Sequence, residues 1–361
     1  MRTPKNILVT GGAGFIGSNF IRYILKKSEF DGTIVNVDKL TYAGNPLNLV
    51  DIEEEYGNKR YFFEKIDICD YEKIKETFKR YSIDTVTHFA AESHVDRSIF
   101  GPRDFVDTNI TGTFNLLEAA RECWVGREDV LFHHVSTDEV YGSLGEKGYF
   151  YEKTAYDPHS PYAASKASSD HLVKAYYHTY GIPITISNCS NNYGPYQFPE
   201  KVIPLMIINM MEEKPLPVYG DGKNIRDWLF VEDHCNAVWL ILKKGKSGET
   251  YNIGGDNEWQ NIRLVELLCE RMDVIKNKKK GYYQKHITFV KDRPGHDRRY
   301  AINCDKIKSE LKWKPMVGFK DGIDTTIYWY TNNNKWIEDI KSGIYRKWIE
   351  LNYGKREVSL K

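Results

Sequence analysis

The chain has 361 residues, of which 41% are hydrophobic and 28% charged, and its formal net charge is +1. That length exceeds what one small core can hold and points to one large domain or two joined ones. A charge so near zero supplies no overall field to gather nucleic acid or an anionic membrane, so neither partner is expected and any anionic ligand must be held locally.

The first segment, Met1 to Gly12, carries an apolar run of only a few residues that leads straight into glycines. It is expected to be neither a signal peptide nor a membrane span, and no later stretch reaches spanning length. Asn6–Val9, Thr33–Val37, Thr85–Phe89 and Val130–Val135 read as buried strands. Helical periods over Ser18–Lys27, Tyr71–Tyr81 and Phe105–Glu122 separate them. Such alternation predicts an α/β fold with a parallel sheet covered on both faces. A further helix should open at Ser160-Pro161, serine as cap and proline in the first turn, and run to about Tyr180. After Asn192 prolines and glycines cluster and the rhythm becomes irregular. Residues 193–361 are therefore read as a smaller C-terminal α+β substrate domain behind a nucleotide-binding domain of 1–192. Strands between about 225 and 255, such as Trp228–Val231 and Thr250–Ile253, are candidates to return to the first sheet. Lys276–Lys280 reads as a solvated loop.

The six cysteines (Cys69, Cys123, Cys189, Cys235, Cys269, Cys304) are scattered, with no Cys-x-x-Cys, as in a reduced cytoplasmic protein. No cysteine–histidine cluster has metal-ligand spacing, so no metal is expected.

The first strand runs into Gly11-Gly12-Ala13-Gly14-Phe15-Ile16-Gly17. Glycines here permit a tight turn, close approach of backbone N–H groups to a diphosphate, and packing of helix on strand; the helix N-terminus adds partial positive charge. A carboxylate, Asp38, closes the second strand, where it can accept from the adenosine ribose and repel a 2′-phosphate. The pattern predicts a Rossmann-type doubly wound sheet that binds NAD, a preference the neighbouring Lys39 weakens slightly. Asp67-Ile68 and Phe89-Ala90-Ala91-Glu92-Ser93, at later strand ends, should line the rest of the groove.

Tyr-x-x-x-Lys on a helix sets a phenol and an ammonium on one face, and a nearby cation favours phenolate. The spacing occurs six times, so context must select. Tyr162/Lys166 follows Ser160-Pro161 and a strand ending in Ser136-Thr137-Asp138-Glu139. Asp138-Glu139 alone could be a solvated turn or a helix cap. Beside a nicotinamide, the same two carboxyls could act as an acid and a base.

Thr10–Gly17, Asp38–Asn45, Ala90–Ser98, Ser136–Gly142, Tyr162–Lys166 and Asn191–Tyr196, in that order, resemble the extended short-chain dehydrogenases/reductases. Within that group they are most similar to the nucleotide-sugar 4,6-dehydratases, and matching segments run from about residue 6 to Trp336. Thr137-Asp138-Glu139 separates these from the related 4-epimerases, which share fold, cofactor and Tyr/Lys pair. The resemblance implies a cycle in which Tyr162, aided by Lys166, takes the sugar 4-hydroxyl proton while hydride passes from C4 to NAD. Glu139 then removes the C5 proton, Asp138 protonates the departing 6-hydroxyl, and hydride returns to C6. Thr137 holds the 4-oxygen. Leu40, Thr41, Thr108, Asn192, Tyr162 and Lys166 join the cofactor set.

The implied nucleotide-sugar site comprises Ser93, Thr137, Asn191, Lys201, Val202, Leu205, Pro217, Tyr219, Arg226, Asn261, Arg293 and His296. Arginine forks suit phosphate oxygens, though Arg226 and Arg293 could instead pair with Asp227 and Asp292. A thymidine nucleotide is expected. Uridine, which lacks one methyl worth only about 1–3 kcal/mol, is the alternative. A non-catalytic sugar-nucleotide binder would be free to lose the Tyr/Lys or acid pair, and both are present. Helices Phe105–Glu122 and Tyr162–Tyr180 correspond to those of a four-helix homodimer bundle, although their apolar positions would also suit packing on the sheet. Phe89, where a smaller residue is common, and the charged tail Ile337–Lys361 depart from the pattern.

Overall fold

The computed structural model describes residues 1–292 and 296–341. Its centre is a seven-stranded sheet, every neighbouring pair of which is parallel. In chain order the first six strands are β1 (Asn6–Thr10), β2 (Thr33–Val37), β3 (Tyr61–Glu64), β4 (Thr85–His88), β5 (Leu131–Thr137) and β6 (Ile184–Cys189). Outside this sheet run β7 (Asn191–Tyr193), β8 (Leu216–Tyr219) and β9 (Ile225–Phe230). The seventh member is β10 (Thr250–Ile253), and β11 (Glu258–Gln260) and β12 (Ile287–Val290) complete the described strands. The spatial order is β10-β6-β5-β4-β1-β2-β3. All residues of β4, β5, β6 and β10 are buried, as expected where helices cover both faces.

The helices fall into three groups. The first comprises α1 (Phe15–Lys27), α2 (Val50–Tyr56), α3 (Tyr71–Arg80), α4 (Val95–Phe100), α5 (Pro102–Phe105), α6 (Gly112–Cys123) and α7 (Pro161–Tyr180). The chain continues through α8 (Val202–Met211), α9 (Val231–Lys244) and α10 (Asn261–Ile275). It closes with α11 (Asp305–Leu311), α12 (Phe319–Asn332) and α13 (Asn334–Lys341). Residues of α1 and α9 share one apolar core with the sheet, and those of α3, α6 and α7 share another. A third core gathers α8, α10, α12, β8 and β9.

Three expectations need correction. Trp228 and its neighbours do not return to the main sheet: β9 pairs with β7 and β11, and its Trp228 and Phe230 pack in the third core. The free edge of β6 is taken instead by β10, whose Tyr251 and Ile253 belong to the sheet core. The helix expected over Phe105–Glu122 is present but not regular, because a π-helical turn occupies Val106–Thr111 ahead of α6. That wider turn frees Asn109, whose amide accepts from the Glu92 N–H (2.8 Å) and donates to the Glu92 carbonyl (3.0 Å) and Ser165 (2.8 Å). The first helix begins at Phe15 rather than Ser18, directly on the glycine turn.

Ile241 on α9 is fully buried in the core shared with α1. Ile241→Ala should cost about 2–5 kcal/mol, read as a lowered urea midpoint. An unchanged midpoint would show that α9 does not close this face of the sheet.

Candidate active site

A cleft of about 280 Å³ runs along the carboxyl ends of the central strands, where ligands of open α/β sheets collect. At one end β1 turns into α1. Gly11 has φ +70°, and a Cβ there would lie 2.7 Å from the backbone of Ala90, so the turn and the β4 loop can approach only without a side chain. At Gly17 a Cβ would come within 2.3 Å of the Gly11 carbonyl. Gly14 caps α1 with no side-chain hydrogen bond, which leaves the first-turn N–H groups for an anion. Asp38 accepts from the N–H of Ala13 (3.0 Å) and of Leu40 (2.8 Å). Burial pushes its carboxyl above the ordinary range, and those two amides oppose the shift. Lys39 reaches Asp67 (3.5 Å) and Thr108 (3.2 Å). These residues fit a dinucleotide: a side-chain-free cradle for the diphosphate and a carboxylate for the ribose.

At the other end β5 delivers Thr137, followed by a 3₁₀ turn over Asp138–Tyr141. Asp138 is 2% exposed. Its Oδ1 lies 3.4 Å from the Thr137 hydroxyl, and its Oδ2 has no hydrogen-bond partner among the described residues. Burial, then the negative charge of Glu139, push the Asp138 carboxyl well above the usual range. Ser160 caps α7 by accepting from the Ala163 N–H (3.1 Å), which sets Tyr162 and Lys166 on its first turns.

The Tyr162 phenol is pushed well above its ordinary value by burial and then by Glu139, with the Thr137 hydroxyl opposing. The Lys166 ammonium donates to the Val135 carbonyl (2.8 Å) and lies 3.3 Å from His134 Nε2. Burial lowers Lys166 to about 8, with Asp170 opposing. The arrangement can therefore hold one carboxylic acid protonated beside a second carboxyl and a phenol, the requirement for acid–base elimination.

All five residues expected to be catalytic line the cleft: Thr137, Asp138, Glu139, Tyr162 and Lys166. So do Gly11, Gly14, Phe15, Ile16, Gly17, Asp38, Lys39, Thr41, Ile68, Phe89, Ala90, Ala91, Ser93, Thr108 and Asn192. Leu40 and Asp67 do not line it; Leu40 donates its N–H to Asp38, and Asp67 pairs with Lys39. Of the substrate set, Ser93, Thr137, Asn191 and Lys201 line it, the last donating to the Ser93 carbonyl (3.1 Å).

The others sit on a second body, the elements gathered around the third core and the segments beside them, outside the cleft lining. Val202 and Leu205 belong to α8, and Pro217 and Tyr219 to β8; the Tyr219 hydroxyl meets Asp96 at 3.3 Å. Asn261 opens α10 and donates its N–H to the Asn224 carbonyl. His296 Nδ1 lies 2.6 Å from Asp292. Arg226 donates to the carbonyls of Ile225 and Asp297 and covers the Tyr300 ring at 4.2 Å. The Asp227 carboxylate accepts from the N–H groups of Gly255 (2.8 Å) and Asn257 (2.6 Å). Arg293 falls outside the described residues.

Sequence reasoning passed over Glu200 in the cleft wall and Tyr300 near Glu139. Glu200 is 5% exposed, accepts from the Tyr42 hydroxyl (3.2 Å), and is pushed up to about 7 by burial. Its place immediately before Lys201 was the available signal. Tyr300, raised by burial and by Glu139, donates to Asp297; nothing in its sequence context marked it.

The family model described as GDP-mannose 4,6 dehydratase matches residues 8–326. A dTDP-glucose 4,6-dehydratase of Escherichia coli is 55% identical, over 97% of this chain and 99% of its own. One from Neisseria meningitidis is 52% identical, over 95% and 98%. Among solved structures, the dTDP-glucose 4,6-dehydratase of Streptomyces venezuelae, determined with NAD bound, superposes with TM-score 0.86 at 43% identity, covering 93% of this chain and all (100%) of that one. The UDP-glucose 4-epimerase of Thermotoga maritima superposes with TM-score 0.80 at 28% identity, covering 91% and 99%.

Gly11→Ala places a methyl against Ala90 in a backbone conformation that alanine resists. Titration with NADH, followed by fluorescence, should show affinity lowered at least about tenfold, from a cost of roughly 1–2 kcal/mol or more. Unchanged affinity would remove the glycine turn from the dinucleotide site.

Proposed function

The chain belongs to the GDP-mannose 4,6 dehydratase family, and from that premise we propose that it is an NAD-dependent dTDP-glucose 4,6-dehydratase. The product is dTDP-4-keto-6-deoxyglucose, and the reaction is a net loss of water. The carrying observation is the Asp138-Glu139 pair, its aspartate buried and its glutamate half-buried, beside Tyr162 in the dinucleotide cleft, in a chain 55% identical to a dehydratase of that name. The structural likeness to 4-epimerases reflects the shared fold, since an epimerase has no use for an acid–base pair at that turn.

NAD, when bound, supplies the redox chemistry, accepting hydride from sugar C4 and returning it to C6. The protein supplies everything that moves protons. Tyr162, with Lys166 as its cationic partner, takes the 4-hydroxyl proton; a cation lowers a phenol that burial and Glu139 otherwise keep protonated. The Thr137 hydroxyl holds the 4-oxygen. Once C4 is a ketone, the C5 proton is acidified and Glu139 removes it. Asp138, held protonated by burial and by Glu139, gives its proton to the departing 6-hydroxyl. Lys39 is already engaged by Asp67 and Thr108, which favours a free 2′-hydroxyl over a phosphate.

The second-body residues Val202, Leu205, Pro217, Tyr219, Arg226, Asn261, Arg293 and His296 are assigned to the nucleotide diphosphate, with Ser93, Asn191 and Lys201 at the sugar. A homodimer through α6 and α7 is supported by the exposed apolar Val106, Phe114 and Tyr180 on or beside those helices. A reducing, cytoplasmic setting suits the six free thiols.

Incubation with dTDP-glucose and no added NAD should yield a product one water lighter by mass spectrometry. An unchanged mass, followed by a change only of C4 configuration on UDP-glucose, would replace this reading with the epimerase. Asp138→Asn with Glu139→Gln should slow elimination by about 100- to 10,000-fold while oxidation at C4 survives. Normal product at a normal rate would remove the pair from the mechanism. Because Asp138 must be protonated to act, elimination should fall as pH rises through its raised pKa. An elimination rate flat across that alkaline range would contradict the acid role.

A further inference from the structure

Lys166 and Asp170 lie one turn apart on α7, and their side chains point to the same dry interior behind the cleft: Lys166 is 3% exposed and Asp170 0%. Asp170 Oδ2 accepts from the hydroxyls of Ser136 and Tyr156, each at 2.9 Å. Its Oδ1 lies 3.2 Å from His134 Nε2 and has no hydrogen-bond partner among the described residues. Lys166 approaches the same imidazole nitrogen from the other side, at 3.3 Å. An uncharged ring offers that nitrogen to only one of the two, as a lone pair to the ammonium or as an N–H to the carboxylate. Burial keeps the ring uncharged, holding His134 well below its ordinary pKa. A neutral ring cannot balance the carboxylate. The cation placed to do so is Lys166, and neither charge is tolerable alone in such a site.

We infer that Asp170 is a positioning residue for the reaction: its carboxylate, fixed by Ser136 and Tyr156, keeps Lys166 cationic and aligned along β5 across the His134 ring. The inference rests on the reading of Lys166 as the cationic partner of Tyr162. The other titratable groups around Lys166 are His88 from β4, His134 from β5, Cys189 from β6, Tyr162 on its own helix, and the Asp138-Glu139 turn. None of these is a fully buried acid held by two hydroxyl donors. Asp170 is the main force raising Lys166 against burial, and Lys166 in turn is the main force lowering Asp170. Lys174, one turn further on, lowers Asp170 less.

The sign of the consequence is fixed. Asp170→Asn keeps shape and removes charge, so Lys166 falls below its present value of about 8 and loses its proton earlier as pH rises. The alkaline limb of kcat measured for the C4-oxidation step, which Tyr162 serves and Asp138 does not, should move to lower pH by about one unit or more, with little change in KM. In protein carrying carbon-labelled lysine, the Lys166 side-chain resonance, assigned with Lys166→Arg, should titrate lower by the same amount. Asp170→Glu, which keeps the charge, should retain most of the limb. A wild-type profile and titration in Asp170→Asn, or a uniform drop in kcat with no shift, overturns the inference. If Asp170→Asn does not fold, the Tyr156→Phe, Ser136→Ala double variant strips both donors and should shift the limb the same way by less; an unshifted limb there also overturns it. Should Lys166→Met keep wild-type turnover, the failure belongs to the reading of Lys166 instead.

Discussion

Withdrawal from water of the ionisable groups at the carboxyl end of β5 is the constraint on which the chemistry of this protein rests. In bulk water Asp138 would be a carboxylate and could give no proton, and Lys166 would be a strongly hydrated cation with no need of a partner. Buried together, they move in opposite directions: the acid upward, the phenol of Tyr162 upward, the ammonium downward. The sheet makes this burial possible. A strand with helices on both faces presents its carboxyl end inside the molecule, and α7 closes over that end so that β5 and α7 share one dry seam. A seam of this kind favours proton transfer between groups whose charges it resists, and such transfers are what elimination requires.

Backbone geometry, rather than side-chain charge, shapes the dinucleotide end. Gly11 crosses Ala90 with no room for a Cβ, and Asn109 grips both polar groups of the Glu92 peptide. Between them they fix the β4 loop, which carries Ala90 to Ser93 along the cleft. The π turn in front of α6 belongs to this device. A regular helix would rotate Asn109 away from Glu92 and leave the loop's N–H and carbonyl without those partners in a buried place.

What the sequence made legible follows from how local each signal is. The glycine turn, Asp38 and the Tyr162/Lys166 helix are written in contiguous residues with strict spacing, and they lie together in the cleft. The π turn was hidden because its residues keep a helical apolar period; only the contact of Asn109 with a segment 17 positions away reveals it. Strand β9 was misplaced for a related reason. Apolar composition says that a strand is buried, and cannot say in which of three cores. The partners of Lys166 were also beyond reach, since spacing sets it on Tyr162's face but does not name the Val135 carbonyl and the His134 ring beside its ammonium.

The two bodies also meet away from the cleft, by a short chain of hydrogen bonds that begins in the last described helix. Trp336 on α13 donates its indole N–H to the Asn48 side chain (2.7 Å), and Asn48 donates in turn to the Ala13 carbonyl (2.9 Å). The N–H of Ala13 is held by Asp38. Ala13, at the centre of the glycine turn, is thereby held at its N–H by Asp38 and at its carbonyl by an Asn48 that the second body engages. Arg22 on α1 adds a second tie, covering the Tyr196 ring at 4.4 Å and donating to the Asn48 carbonyl. A reaction that removes hydride and returns it to the same sugar gains nothing from releasing its cofactor between turnovers. A glycine turn braced from the second body, and not by its own strand and helix alone, is a structure suited to retaining it.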